Sequence, residues 1–410
     1  FDECSALIEK VLAQDAGHFE AQLLQSRLKL SQGQTAEAIK ELDRLSTKYP
    51  RVARVHHLEA VAHVQNNDAV KAVTSLNQAL VLDPTLTDAS LLLAELNIRK
   101  GDTASAITAL TQLVKQMPGL KRAQYLLAAA YAARGTLDEA AGVYRTVLTL
   151  DPRDGQAAFQ LGLVFLQQKK PKEARTALNK ALELRPDHFP SVSLLLELDL
   201  AEKDFQAALQ RVQAQIAKRP QSPGPQYLLA KVYLGQGQPE QAEAALLRTI
   251  ELEPDYQPAY SALARLYVAS NKYEQALEKL GKLLTRTPKD SSSLFLAGMI
   301  YEKKRDFAKA AETYEKLLAL RPRFGLAMNN LAYLCAEHLG QVDKAHDLAR
   351  KARELNPNDP FTADTLGWVL YKRADYTRAL SLFEEAAEKL AAEPDVFFHL
   401  GMAHYALGEE

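Results

Sequence analysis

Histidines, two cysteines and a group of amides beside aromatic rings are the residues of this 410-residue chain best suited to chemistry. His56, His57 and His63 stand close together, and clustered imidazoles are a common start for a zinc site. Their separations of one, six and seven residues miss the four-residue step that sets two rings on one side of a helix. His338 and His346 flank a short insertion and read as surface-turn residues. Cys4 and Cys335 make neither a disulfide framework nor a metal motif. No glycine-rich phosphate loop, nucleophile elbow or paired-carboxylate signature stands out. Asn329, Asn330, Tyr333, Asp364, Thr365, Trp368, Tyr371 and Lys372 offer something else, and they include the only tryptophan. Amides beside aromatics suit hydrogen bonding to a peptide backbone, or to a sugar with ring stacking. On this reading the chain has no catalytic residue, metal or cofactor, and its chemistry is that of binding.

What must position these groups is a repeat. Prolines stand at 50, 84, 118, 152, 186, 220, 254, 288 and 322, each 34 residues after the last. With this proline as position 32 of a unit, position 20 is alanine from Ala38 to Ala310, and again at Ala345 and Ala379 after one inserted residue. Position 8 is small in every unit but one, where Leu196 stands. In residues 121–152, apolar residues at Leu127, Tyr131, Val143, Tyr144, Val147 and Leu148 keep helical spacing on either side of Gly135. That glycine, at position 15, suits a helix end in left-handed geometry. Lys169, Lys203, Arg305 and Ala374 hold the same position elsewhere, so their turns are either strained or built differently. Each unit is two antiparallel helices. One hairpin cannot bury its own apolar face, so the units must stack.

Leucine at 7, a small residue at 8, tyrosine at 11, glycine at 15, alanine at 20 and proline at 32 resemble the tetratricopeptide repeat. Residues 223–256, PGPQYLLAKVYLGQGQPEQAEAALLRTIELEPDY, match it almost position for position. The resemblance implies an all-α fold, a right-handed α-solenoid superhelix of stacked helix-turn-helix repeats. It implies a single array over 1–410, with eleven full repeats from 19 to 393. Residues 1–18 read as the second helix of a truncated repeat and 394–410 as the first helix of another. Stacked repeats need polar capping helices for solubility, so the chain is expected to be an excerpt whose uncapped ends allow self-association. Cys4 then falls at the small position 20 and Cys335 at position 11, both as packing residues about ten repeats apart.

In this family the first helices line the concave face, and positions 2, 5, 6, 9, 12 and 13 point into it. Position 5 would place Tyr125, Phe159, Tyr227 and Phe295 there, large planar groups suited to contacting a partner. Towards the C-terminus, Asn329, Asn330, Tyr333, Asp364, Trp368, Tyr371 and Lys372 would gather on adjoining first helices. The family's clamp for a C-terminal carboxylate uses lysine at 5 and asparagine at 9. Neither column contains that residue here. The resemblance therefore implies a non-catalytic scaffold holding a helix or extended peptide of a protein partner in its groove. A second reading is the substrate-selecting arm of a larger enzyme, such as a protein glycosyltransferase. An asparagine ladder at position 6 would favour it, and only Asn330 is present.

Composition agrees with binding to protein. A net charge of −1 provides no basic field for nucleic acid. No apolar run approaches the ~18 residues of a membrane helix. Residues 325–371 are similar to bacterial repeat proteins of envelope and exopolysaccharide systems. The compartment stays open between the periplasm or envelope and the cytoplasm of a bacterium.

Overall fold

The computed structural model describes residues 2–409, and these form twenty-four helices of 13 or 14 residues each. No strand occurs among the described residues. Two compact units are resolved, one running to Leu198 and the other starting at Asp199. Within each, helical hairpins stack in chain order, and the apolar core is a succession of clusters that each bridge neighbouring repeats. One such cluster joins Leu91, Leu110, Ala123 and Leu127. Another joins Tyr314, Leu331, Ala345 and Val369. The fold is an all-α solenoid.

Hairpin closure follows from the small residues at position 8 and the larger ones at position 24. A methyl added to Gly298 would lie 2.5 Å from Tyr314 Cε1, and one on Gly367 would lie 2.7 Å from Phe383 Cε1. These two glycines make room for the largest fully buried side chains, Tyr314 and Phe383. At four of the thresholds between repeats, position 4 of the next helix supplies a donor to the position-32 carbonyl. Gln22 Nε2, His56 Nε2, Gln124 Nε2 and Tyr260 Oη donate to the carbonyls of Ala16, Pro50, Pro118 and Pro254 at 2.7, 3.0, 2.7 and 3.1 Å. His56 is thus a buried fastening residue.

Outside repeat ten the position-15 turn keeps one geometry. At Gly101 the amide donates to Ile98 and the next amide to Asn97. At Ala374 the same two bonds run to Tyr371 and Leu370. Lys169, Lys203, Arg305 and Ala374 all hold φ near +60°, at 58, 58, 59 and 61°. A side chain in this region costs about 1–2 kcal/mol. Glycine at any one of the four is therefore expected to stabilise its hairpin by about 1 kcal/mol, allowing for glycine's greater freedom when unfolded. Slower amide exchange in that hairpin would show it, whereas unchanged exchange would mean the side chain adopts the turn without strain.

The insertion in repeat ten is absorbed locally. Helix Gly325–Glu337 ends at His338, Gly340 turns with φ +65°, and Gln341 donates its amide to Cys335 before helix Val342–Leu355 begins. Cys335 is fully buried, as its position implies. Cys4 departs from that expectation and is exposed on helix Asp2–Gln14.

Candidate functional site

Within each unit successive first helices touch directly. Thr87–Lys100 packs on Lys121–Arg134 in the first unit, and Gln257–Ala269 on Ser291–Lys303 in the second. Gly325–Glu337 packs on Pro360–Lys372 in the same way. Second helices pack chiefly on the first helices before and after them. The first helices therefore line the inner face of each unit.

Tyr125, Phe159, Tyr227 and Phe295 are half-buried on these helices. Each is engaged by the residue 29 positions further on, which starts the next first helix. Tyr125 Oη donates to Asp154 Oδ1 at 2.8 Å. Phe159 meets His188 edge-on with centroids 4.6 Å apart. Tyr227 lies 5.4 Å from Tyr256, and Phe295 lies 5.3 Å from Phe324. The same spacing recurs with aliphatic couples: Leu23 and Val52 share one core cluster, and Leu91 and Leu120 share another. One part of each ring is thus committed to holding the next repeat. Burial, and then the Asp154 carboxylate, push the Tyr125 hydroxyl well above its usual range.

Of the C-terminal polar group, Asn329, Asn330, Tyr333 and Thr365 are brought together. A cleft of ≈ 350 Å³ in the second unit is lined by Glu302, Lys303, Phe307, Asn329, Asn330, Tyr333, Leu334, His338 and Thr365. His338 stacks on Phe307 with centroids 3.7 Å apart and planes 8° from parallel, closing one side. Asn330 Nδ2 donates to Tyr314 Oη at 3.2 Å, and Tyr314 Oη donates to Glu302 Oε2 at 3.1 Å. Burial pushes the Glu302 carboxyl up to about 7, against the Tyr314 hydrogen bond and the Lys303 charge, which pull it down. Asn329 Oδ1 is buried and has no hydrogen-bond partner. A buried acceptor left without a donor is uncommon, because it costs the full desolvation of that group. Burial also raises the Tyr333 hydroxyl above its ordinary value, helped by the Glu337 carboxylate.

Trp368 departs from its expected place as an exposed groove contact: it is only 5% exposed. Tyr371 stacks on it at 5.1 Å and 1°, and His399 stacks on it at 4.1 Å and 23°. The Lys372 ammonium sits 4.7 Å from its centroid. The indole Nε1 donates to Glu337 Oε2 at 2.9 Å, and Lys372 Nζ pairs with the same oxygen at 2.8 Å. Burial alone would raise the Glu337 carboxyl, but the bonds from Lys372 and Trp368 outweigh it and hold it below its usual range. Asp364 accepts from His399 Nδ1 at 2.9 Å. Asp364 and Tyr371 are half-buried and Lys372 is exposed, so this group surrounds a buried indole and does not present it.

Glu302 was not among the residues singled out from sequence, yet a signal was present. Position 12 is apolar or tyrosine in the other ten repeats and charged only here.

Profiles of the tetratricopeptide repeat match residues 1–62, 131–198 and 199–255 in one form. A second form matches 91–155, 261–323, 295–360 and 365–410. A TPR repeat-containing protein of Pseudomonas aeruginosa is 31% identical over 80 residues, or 20% of this chain, and the chain spans only 13% of that relative's length. Among solved structures, yeast Tom70 superposes with a TM-score of 0.50 at 17% identity, over 95% of this chain and 96% of that one. Naa15/Naa10 bound to HypK-THB gives a TM-score of 0.38 at 17% identity, over 98% of this chain and 70% of that one. At such identity the Tom70 likeness concerns fold alone. The 34-residue metre, the stacked hairpins and profile matches over most of the length together show that the chain belongs to the tetratricopeptide repeat family.

Proposed function

We propose that this protein is a non-catalytic scaffold that holds an extended segment of a protein partner on the inner face of its second unit. The anchor is the cleft at Glu302, Asn329, Asn330, Tyr333 and Thr365. The observation that carries this reading is the buried, unpartnered Oδ1 of Asn329. An extended backbone presents amide donors at regular intervals and needs acceptors of this kind. Tyr333 and the stacked His338–Phe307 pair supply flat walls for its side chains. No helix among the described residues is long and apolar enough to cross a membrane.

A photo-crosslinking residue placed at Tyr333, and as a control at Val70, which is 79% exposed on a second helix, tests this in a host lysate. Position 333 is expected to capture one protein through one short segment, and Asn329→Leu with Asn330→Leu to reduce capture more than about tenfold, as loss of two buried hydrogen bonds implies. Equal capture from position 70, or capture indifferent to the asparagines, overturns the cleft as anchor.

A further inference from the structure

The first unit carries a second polar constellation, distant in sequence from the cleft residues. Position 7 is leucine in most repeats and charged only at Glu59. His63 follows four residues later on helix Ala53–Gln65, which sets the two side chains on one side of that helix. The preceding helix, Thr35–Lys48, packs against it and contributes Asp43. One donor atom from each of Asp43, Glu59 and His63 lies within 4.8 Å of the other two. The sequence alone drew attention to histidine–histidine spacing, and the pair that matters is glutamate with histidine.

A separate observation concerns His63 itself. His63 is only 6% exposed, and its Nδ1 is buried without a hydrogen bond. Buried ring nitrogens in packed helices nearly always have a partner. Glu59, by contrast, is held in orientation from several sides. Ser75 Oγ donates to its Oε2 at 3.1 Å and Ser46 Oγ to its Oε1 at 3.4 Å, while His56 Nδ1 lies 3.4 Å from Oε2. Partners of this kind commonly orient a metal-binding carboxylate.

We propose that Asp43, Glu59 and His63 form a site for a divalent transition-metal ion, with Zn²⁺ the best fit, that clasps repeat one to repeat two. One imidazole and two carboxylates favour Zn²⁺, Co²⁺ or Fe²⁺ over the all-oxygen preferences of Ca²⁺ and Mg²⁺. Metal–ligand bonds of about 2.0–2.2 Å bring donors to within about 4 Å of one another. Asp43 is exposed and free to rotate the remaining distance, whereas Glu59 and His63 are fixed by their helix. Three protein ligands leave a coordination position for water. The ion ties helices from successive repeats, so its effect is on the stiffness of that joint.

Titration of the full chain with Co²⁺, read by its visible absorption, tests the proposal. One equivalent is expected to bind saturably, Zn²⁺ is expected to displace it, and Asp43→Asn and His63→Gln are each expected to weaken binding more than about tenfold. Asp43 is exposed, so its variant is expected to keep the fold, which circular dichroism checks. Amide exchange across residues 35–65 is expected to slow with Zn²⁺ in the parent chain and not in Asp43→Asn. Absence of saturable binding overturns the site, as does a Co²⁺ spectrum and affinity unchanged in both variants, which would place the ion on other histidines.

Discussion

Replacing Glu302 with glutamine is expected to stabilise the second unit by about 3 kcal/mol above pH 8 and to change it little at pH 4. The carboxyl ionises near its ordinary value of 4.5 in the unfolded chain and at about 7 in the folded one. Below 4.5 both states hold the proton, and the residue contributes no penalty. Between 4.5 and 7 the unfolded state releases it first, so stability falls as pH rises through this window and then levels off. Glutamine stays neutral and still offers Tyr314 an acceptor. Other carboxylates titrate too, so the measurement is the difference between parent and variant in denaturant midpoints at each pH. Parallel curves from pH 4 to pH 8 would show that water reaches Glu302 and that the cleft is less desolvated than its walls imply.

Trp368→Ala is expected to cost about 3–5 kcal/mol, the usual range for removing a buried large aromatic. The loss falls on one neighbourhood, since the indole supports Tyr371, His399, Lys372 and Glu337 together. Amide protection should therefore drop across residues 325–409 and hold elsewhere in the second unit, because stability in a stacked array is a sum over neighbouring interfaces. Trp368→Phe separates the two contributions: it keeps much of the stacking and loses the bond to Glu337, which is worth about 1.5–3 kcal/mol as a bond to a charged group. A uniform loss of protection after Trp368→Ala would mean that the second unit unfolds as one block. The parent reports its own transition, as Trp368 is the only tryptophan.

Helices, turns and the hairpin interior were legible because each depends on residues a few positions apart. The metre of alanines and prolines marks them in every copy. Lys169 and Ala374 left their turn open between two geometries, and the backbone settled on the glycine-like one because both flanking helices demand it. The aromatics at position 5 were legible as a column, but their engagement by His188, Tyr256 and Phe324 was not. Those partners stand at the far end of the same repeats, 29 residues on, too distant in sequence for helical spacing to reveal. Trp368 stood at an inward position, and its burial depended on His399 from the following helix. Glu302 and Glu59 were visible only as departures from their columns, and Asn330 and Asp43, which complete their surroundings, come from adjoining repeats.

The 29-residue pairing has a consequence for how such a chain can be shortened or lengthened. Excising residues 155–188 removes Phe159 together with His188 and leaves Tyr125 facing Asp154, so every couple survives. Excising 130–163 removes the same number of residues, yet it leaves Tyr125 facing His188, and the phenol loses its carboxylate acceptor. The heritable cassette therefore has a fixed phase: its splice points lie between the residue that opens a first helix and the fifth residue of that helix. Recombination in any other phase would leave a mismatched couple at the junction, so repeats at 34-residue intervals are interchangeable only when cut at that seam.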